Sequence, residues 1–343
     1  MAKILFSFTN DLFIKNQLIK GSIKDLKKTN ECYFIADKKK VSIYSKDLER
    51  VKNFLGYYNL DENVVKKYRR FFWIRLFKNK IESKGLELKK RKYLALKLNW
   101  GNEPLNQKIV NYPLRFLSFI KRKFFYFFSK FINEEKYTIS FYNKNQINKK
   151  IFELVKNLNP DIGIYFAQGE NHGFIEFIRA CKKLKIKTIQ IIENWDNLSA
   201  KNISNPRPDF LVTLSEQQKN IVEKVHNFSR DKIYVLGSKK YDNFFELRNY
   251  SSQIEIKSKY ILFLEGWVWA DQEKMFDLLD KLISEEKILN NVKILYRPHP
   301  LRNENYNLVN LKKYKNIILD PQMKYAYENN YFNLKNIPDE KYY

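Results

Sequence analysis

"DIGIYFAQG", residues 161–169, is an apolar run that ends in a glycine loop; "HGFIEFIRACKKLKI" (172–186) and "KTIQIIENW" (187–195) follow it. The outer two stretches carry Ile, Phe, Tyr and Thr on successive positions, the pattern of strands covered on both faces. The middle one repeats its apolar residues at helical spacing. Strand, helix and strand in this order predict parallel neighbours joined by a crossover helix.

The same unit recurs outward from there. On the N-terminal side, "KILFSFTN" (3–10) and "ECYFIAD" (31–37) read as strands around one helix in "DLFIKNQLIKGSIKDLKK" (11–28). On the other side come the strand "PDFLVTLS" (208–215), the helix "EQQKNIVEKVHNF" (216–228) and the strand "DKIYVLGS" (231–238). After the unpatterned stretch 237–258 a second series begins with "KYILFLEG", "ADQEKMFDLLDKLISEEK", "NVKILYRPHP" and "KNIILDP". The expectation is an α/β protein of two Rossmann-like domains with parallel sheets, residues 1–250 and 258–343. The second has fewer strand-helix pairs than such a sheet normally has, so it is expected to be truncated at its C-terminal side.

The 343 residues suit two domains, and 44% hydrophobic residues suffice for packed interiors. The charge of +26, from 64 Lys+Arg against 38 Asp+Glu, attracts anionic partners without choosing among polyanions, membranes and phosphorylated substrates. Two distant cysteines, Cys32 and Cys181, exclude a disulfide framework and give no metal-ligand spacing. The opening "MAKILFSFTNDLF" is a shorter and sooner polar run than a signal peptide or a spanning helix needs, so the expected location is the reducing cytoplasm, including a peripheral place at the inner face of the cell membrane.

Residues 64–136 form an insertion that interleaves aromatics with Lys and Arg at helical spacing, as in "YPLRFLSFIKRKFFYFFSKF" (112–131). Three readings compete: packing on the sheet, an anionic membrane surface met by aromatic rings and cations, and nucleic acid. The last is disfavoured because no recognition module accompanies the charge.

In an open parallel sheet ligands bind beyond the carboxyl ends of the strands. The loops found there are polar. Asn10 and Asp11 follow the first strand, as a helix cap or a ligand contact. Glu170 and His172 follow the strand at 161, with His172 at a helix start that favours anions. "ENWDNLSAK" supplies Glu193, Asp196 and Lys201, a source of a general base or a hydroxyl-binding carboxylate. "EGWVWAD" offers Gly266 for close backbone approach and Trp267 or Trp269 for stacking. In "YRPHP" two prolines stiffen the turn that carries Arg297 and His299, a cation and an imidazole suited to a diphosphate. His226 reads as structural.

The order of "NWDNLSAK", "GSKKYDNFF" with Asp242, "YILFLEGW" and "YRPHP" over residues 193–300 resembles the glycosyltransferase B superfold. The specific likeness is to bacterial surface and capsule polysaccharide enzymes and relatives of the CDP-glycerol glycerophosphotransferases. The resemblance implies a nucleotide-activated sugar donor held by Arg297, His299, Gly266 and Trp267, with no cofactor and no metal. It implies a glycan or lipid-linked acceptor held by the first domain; the loop reading supplies Asn10, Asp11, Glu170, Glu193, Lys201 and Asp242 as the cleft residues, with Asp196 or His172 as the catalytic candidates. The glycerophosphotransferases carry Trp-His-Gly where this chain has Trp195-Asp196-Asn197. Alternatives are a CDP-polyol phosphotransferase, a nonhydrolysing UDP-sugar 2-epimerase, and, from another class, a basic nucleic-acid-binding protein or an inactive fragment.

Overall fold

The computed structural model describes residues 1–19, 21, 23–61, 63–66, 105–129, 131–132, 140–142, 144–167, 173–195, 197–198, 206–238, 241–242, 245, 248, 259–265, 272–285, 292–298 and 310–323. The chain divides into two compact units, Met1–Phe245 and Glu246–Tyr343.

The first unit is built on seven strands: β1 (Lys3–Phe8), β2 (Glu31–Asp37), β3 (Phe54–Tyr58), β4 (Ile162–Ala167), β5 (Lys187–Ile192), β6 (Phe210–Thr213) and β7 (Ile233–Val235). Every pairing is parallel, in the order β3-β2-β1-β4-β5-β6-β7. This is the predicted α/β parallel architecture. Among the described residues its helices are α1 (Asp11–Ile14), α2 (Lys24–Thr29), α3 (Ser45–Glu49), α4 (Leu105–Ser129), α5 (Lys149–Leu158), α6 (Gly173–Lys183) and α7 (Glu216–His226).

Alternation along the strands feeds two cores. Leu5 of β1 and Tyr165 of β4 pack on one face with Val155 of α5 and Phe177 of α6. Ile4, Phe6, Phe8, Ile164 and Phe166 point to the other face, with Phe13 and Phe34. There the rings of neighbouring strands stack: Phe6 on Phe34 at 5.6 Å and Phe8 on Phe166 at 5.8 Å between centroids. Gly163 lets α6 approach β4, since a Cβ at that position would lie 2.9 Å from Cys181 Sγ and 3.0 Å from Phe177 Cζ. The same packing buries the Cys181 thiol and pushes its pKa up to about 12.

Two local features depart from the sequence reading. The single helix expected over 11–28 is instead α1, a π turn (Lys15–Ile19) and α2. Gly21, at φ +75°, lies in the left-handed region and breaks the run. Strand β3, "FLGYY", was not expected at all; Gly56 at φ +120° sits within it and the β2–β3 register shifts between Phe34 and Ile35, so period-two patterning is lost there.

A buried ion pair anchors the chain as it enters α5. Arg179 Nη1 donates to Glu176 Oε1 at 2.7 Å, and Arg179 Nη2 donates to the carbonyls of Tyr142 (2.8 Å) and Asn145. Glu176 Oε2 accepts from the backbone N–H of Asn148 at 2.6 Å, and Asn148 caps α5 by accepting from Ile151 N. Burial raises the Glu176 carboxyl above its ordinary range, while Arg179 pulls the other way.

The second unit contains β8 (Lys259–Leu264), α8 (Gln272–Ser284), β9 (Val292–Arg297) and β10 (Ile317–Leu319). Its sheet is also parallel, in the order β10-β9-β8. Phe276 and Ile283 of α8 pack with Ile294, Tyr296 and Ile317.

Candidate functional site

The strand order of the first sheet reverses at β1, whose neighbours β2 and β4 lead away in opposite directions. A crevice opens at the carboxyl ends of the strands on either side of such a reversal, here β1 and β4. Helix α6 follows β4, so the positive end of its dipole faces that edge.

The end of β1 delivers Thr9, which is buried, then Asn10 and Asp11. Asn10 Oδ1 accepts from Phe13 N at 3.0 Å and caps α1. Asp11 tethers the loop after β2: Oδ1 accepts from the backbone N–H groups of Ile43 (2.9 Å) and Tyr44 (3.0 Å), and both oxygens accept from Ser42 N at 3.1 Å. Both side chains are thus engaged in holding local structure.

The π turn after α1 turns Asn16 and Gln17 inward. Gln17 Nε2 donates to Glu193 Oε1 at 2.5 Å, joining the segment after β1 to the end of β5 across the position of β4. Both partners are buried. This contact holds the Glu193 carboxylate at the carboxyl edge, and nothing in the sequence pairs the two residues, which lie 176 positions apart. Asp37 ends β2 on the same edge; its carboxyl accepts from Lys39 N at 3.1 Å, and burial raises its pKa.

The loop after β5 is pinned from α7. Gln218 Nε2 donates to the carbonyls of Asn194 (3.0 Å) and Asn197 (3.3 Å), while its Oε1 accepts from Leu214 N (2.9 Å). His226 Nε2 lies 2.5 Å from the Leu198 carbonyl, so that nitrogen carries the proton and donates; this is a structural role. Arg207 donates to the His226 carbonyl at 2.8 Å. Leu198 is fully buried at φ +66°, a strained conformation for a branched side chain that the pinned loop enforces. The loop so held presents Trp195 to solvent, 73% exposed.

Among the remaining expected residues, Glu170, His172, Asp196, Lys201, Gly266, Trp267 and His299 lie outside the described residues. Asp242 is exposed. Arg297 closes β9 in the second unit, where Nη1 donates to Asp320 Oδ2 at 2.9 Å. At the same edge Glu265 follows β8 and accepts from Tyr296 Oη at 2.7 Å. Glu265 and Asp320 each come directly after an apolar strand, in "ILFLEG" and "NIILDP", which is the signal that could have singled them out. Gln17 carries no such signal, because only the π turn directs it inward.

Among the described residues no group of three or more His, Cys, Asp or Glu could hold a metal ion. No helix among them is long and apolar enough to cross a membrane.

No family model matches the chain, and no curated protein sequence matches it. Solved structures that align with the chain include a UDP-GlcNAc 2-epimerase from Methanocaldococcus jannaschii (13% identity, 93% of this chain and 72% of that one, TM-score 0.45). A UDP-GlcNAc 2-epimerase from Neisseria meningitidis, bound to UDP-GlcNAc, is 14% identical over 93% of this chain and 71% of that one, with a TM-score of 0.42. A glycosyltransferase from Streptomyces sp. SF2575 is 9% identical over 93% and 71%, with a TM-score of 0.33. Likeness at this level carries no argument about activity; the α/β assignment rests on the strand order and strand directions given above.

Proposed function

We propose that this protein is a sugar-nucleotide enzyme, a glycosyltransferase that moves a sugar from a nucleotide-activated donor to a glycan or lipid-linked acceptor. The product would be a cell-surface polysaccharide, made in the cytoplasm. The observation that carries the reading is the polar edge at the strand-order reversal, where Gln17 holds Glu193 beside an exposed Trp195 on a pinned loop. An exposed aromatic ring on a firmly held loop suits a sugar, whose C–H face stacks on it.

In the transfer, the acceptor hydroxyl oxygen forms a bond to the anomeric carbon while that carbon's bond to the diphosphate oxygen breaks. The hydroxyl proton passes to a carboxylate, the role proposed for Asp196 of "ENWDNLSAK", since the Glu193 carboxylate is buried against Gln17. The nucleoside diphosphate leaves with the bonding electron pair, and cationic groups stabilise the charge it gains.

Calorimetry with a panel of uridine, cytidine and thymidine diphosphate sugars tests the reading. At least one is expected to bind, with Trp195→Ala weakening sugar or acceptor binding and Asp196→Asn lowering turnover. Absence of binding across the panel sinks the proposal. Conversion of a nucleotide sugar without any acceptor would assign the chain to epimerisation instead. Steeply salt-dependent binding to nucleic acid that ignores these substitutions would assign it to the other class.

A further inference from the structure

Helix α4 is the longest helix among the described residues of the first unit, and among its described side chains none is buried. Phe116, Leu117, Ile120, Phe124, Phe127 and Phe128 are all exposed. At 3.6 residues per turn they fall within one sector of the helix, roughly 120° wide. Lys121 and Lys123 lie at its two borders, and Arg115 and Arg122 on the opposite side. From Leu105 to Ile132 the basic residues are Lys108, Arg115, Lys121, Arg122, Lys123 and Lys130, and no acidic residue occurs.

We propose that this aromatic sector of α4 docks on an anionic lipid bilayer, the helix lying in the plane of the headgroups. An apolar sector bordered by lysines fits such an interface: the rings enter the acyl boundary while the lysine stems run along it and keep their ammonium groups among lipid phosphates. The uniformly basic charge of the segment is complementary to an acidic leaflet. The 25 residues of α4 would extend about 37 Å, enough for a bilayer core, but Arg115, Lys121, Arg122 and Lys123 in the middle of the helix make it lie on the surface and not cross. A single-stranded nucleic acid fits less well, because no recognition module accompanies the charge, and a continuous sector of Phe, Leu and Ile side chains matches an acyl boundary better than a row of bases.

The test is flotation of the full chain with phosphatidylglycerol-containing vesicles and with phosphatidylcholine vesicles. The wild type is expected to float with the anionic vesicles, to do so less as salt rises, and to float poorly with the neutral ones. A Phe116→Ser, Phe124→Ser, Phe127→Ser variant and a Lys121→Glu, Lys123→Glu variant should each lose at least about tenfold in binding. Since α4 contributes no described buried side chain, both should keep the wild-type circular dichroism and unfolding curve. A wild type that stays with the unfloated protein overturns the proposal, as does a triple variant that floats like wild type. A concentration-dependent dimer in sedimentation velocity, lost in the triple variant and unaccompanied by vesicle binding, would assign the face to a second copy of the chain. The assay reads binding without turnover, so its failure leaves the sugar-nucleotide reading standing.

Discussion

In the seven-stranded sheet, β1 buries five of its six residues; in the three-stranded sheet, β8, no less apolar and equally long, leaves five of six exposed. The two strands read alike in sequence, as "KILFSF" and "KYILFL". Their surroundings differ. β1 is hydrogen-bonded on both sides, to β2 and β4, and lies between two cores, whereas among the described residues β8 is an edge with β9 on one side. An apolar strand pattern therefore marks where a strand forms, and the neighbours on its edges and faces decide how much of it leaves water.

The comparison breaks most severely at the ion pair of the first unit. Arg179→Ala removes the partner of a buried carboxylate and leaves the carbonyls of Tyr142 and Asn145 without their donor. The expected cost is about 3–5 kcal/mol in chemical denaturation, with hydrogen-exchange protection lost first around residues 142–148. A smaller and sharper contrast comes from making one substitution in both sheets. Ile164→Thr in β4 places a hydroxyl in a core where Ile164 is 6% exposed and should cost about 2 kcal/mol. Ile261→Thr in β8, where Ile261 is 41% exposed, should change stability by less than about 0.5 kcal/mol. Equal costs in the two positions would show that β8 is as well covered as β4.

The carboxyl edge of the first sheet was partly legible in advance. Loops after strands had to be polar and had to face one way, which is why Asn10, Asp11 and Glu193 could be named from their places alone. Their tasks were not legible, because a carboxylate that accepts three backbone N–H groups, as Asp11 does, looks in sequence like one that waits for a ligand. Gln17 was missed because it reaches the edge only through a π turn, which has no residue signature, and its partner Glu193 lies two strands away across the sheet.

The sequence by itself determined the kind of protein: apolar runs separated by helical periods admit a parallel sheet and little else, since periodicity is a local property set by which side chains must leave water. It also fixed the basic, aromatic character of α4. Only the tertiary structure decided the strand order that reverses at β1, the pairing of Gln17 with Glu193, the pinning of the Trp195 loop by α7, and the exposure of the rings on α4. Each of these depends on contacts between residues far apart in the chain, whose energies become favourable only after the whole unit has closed.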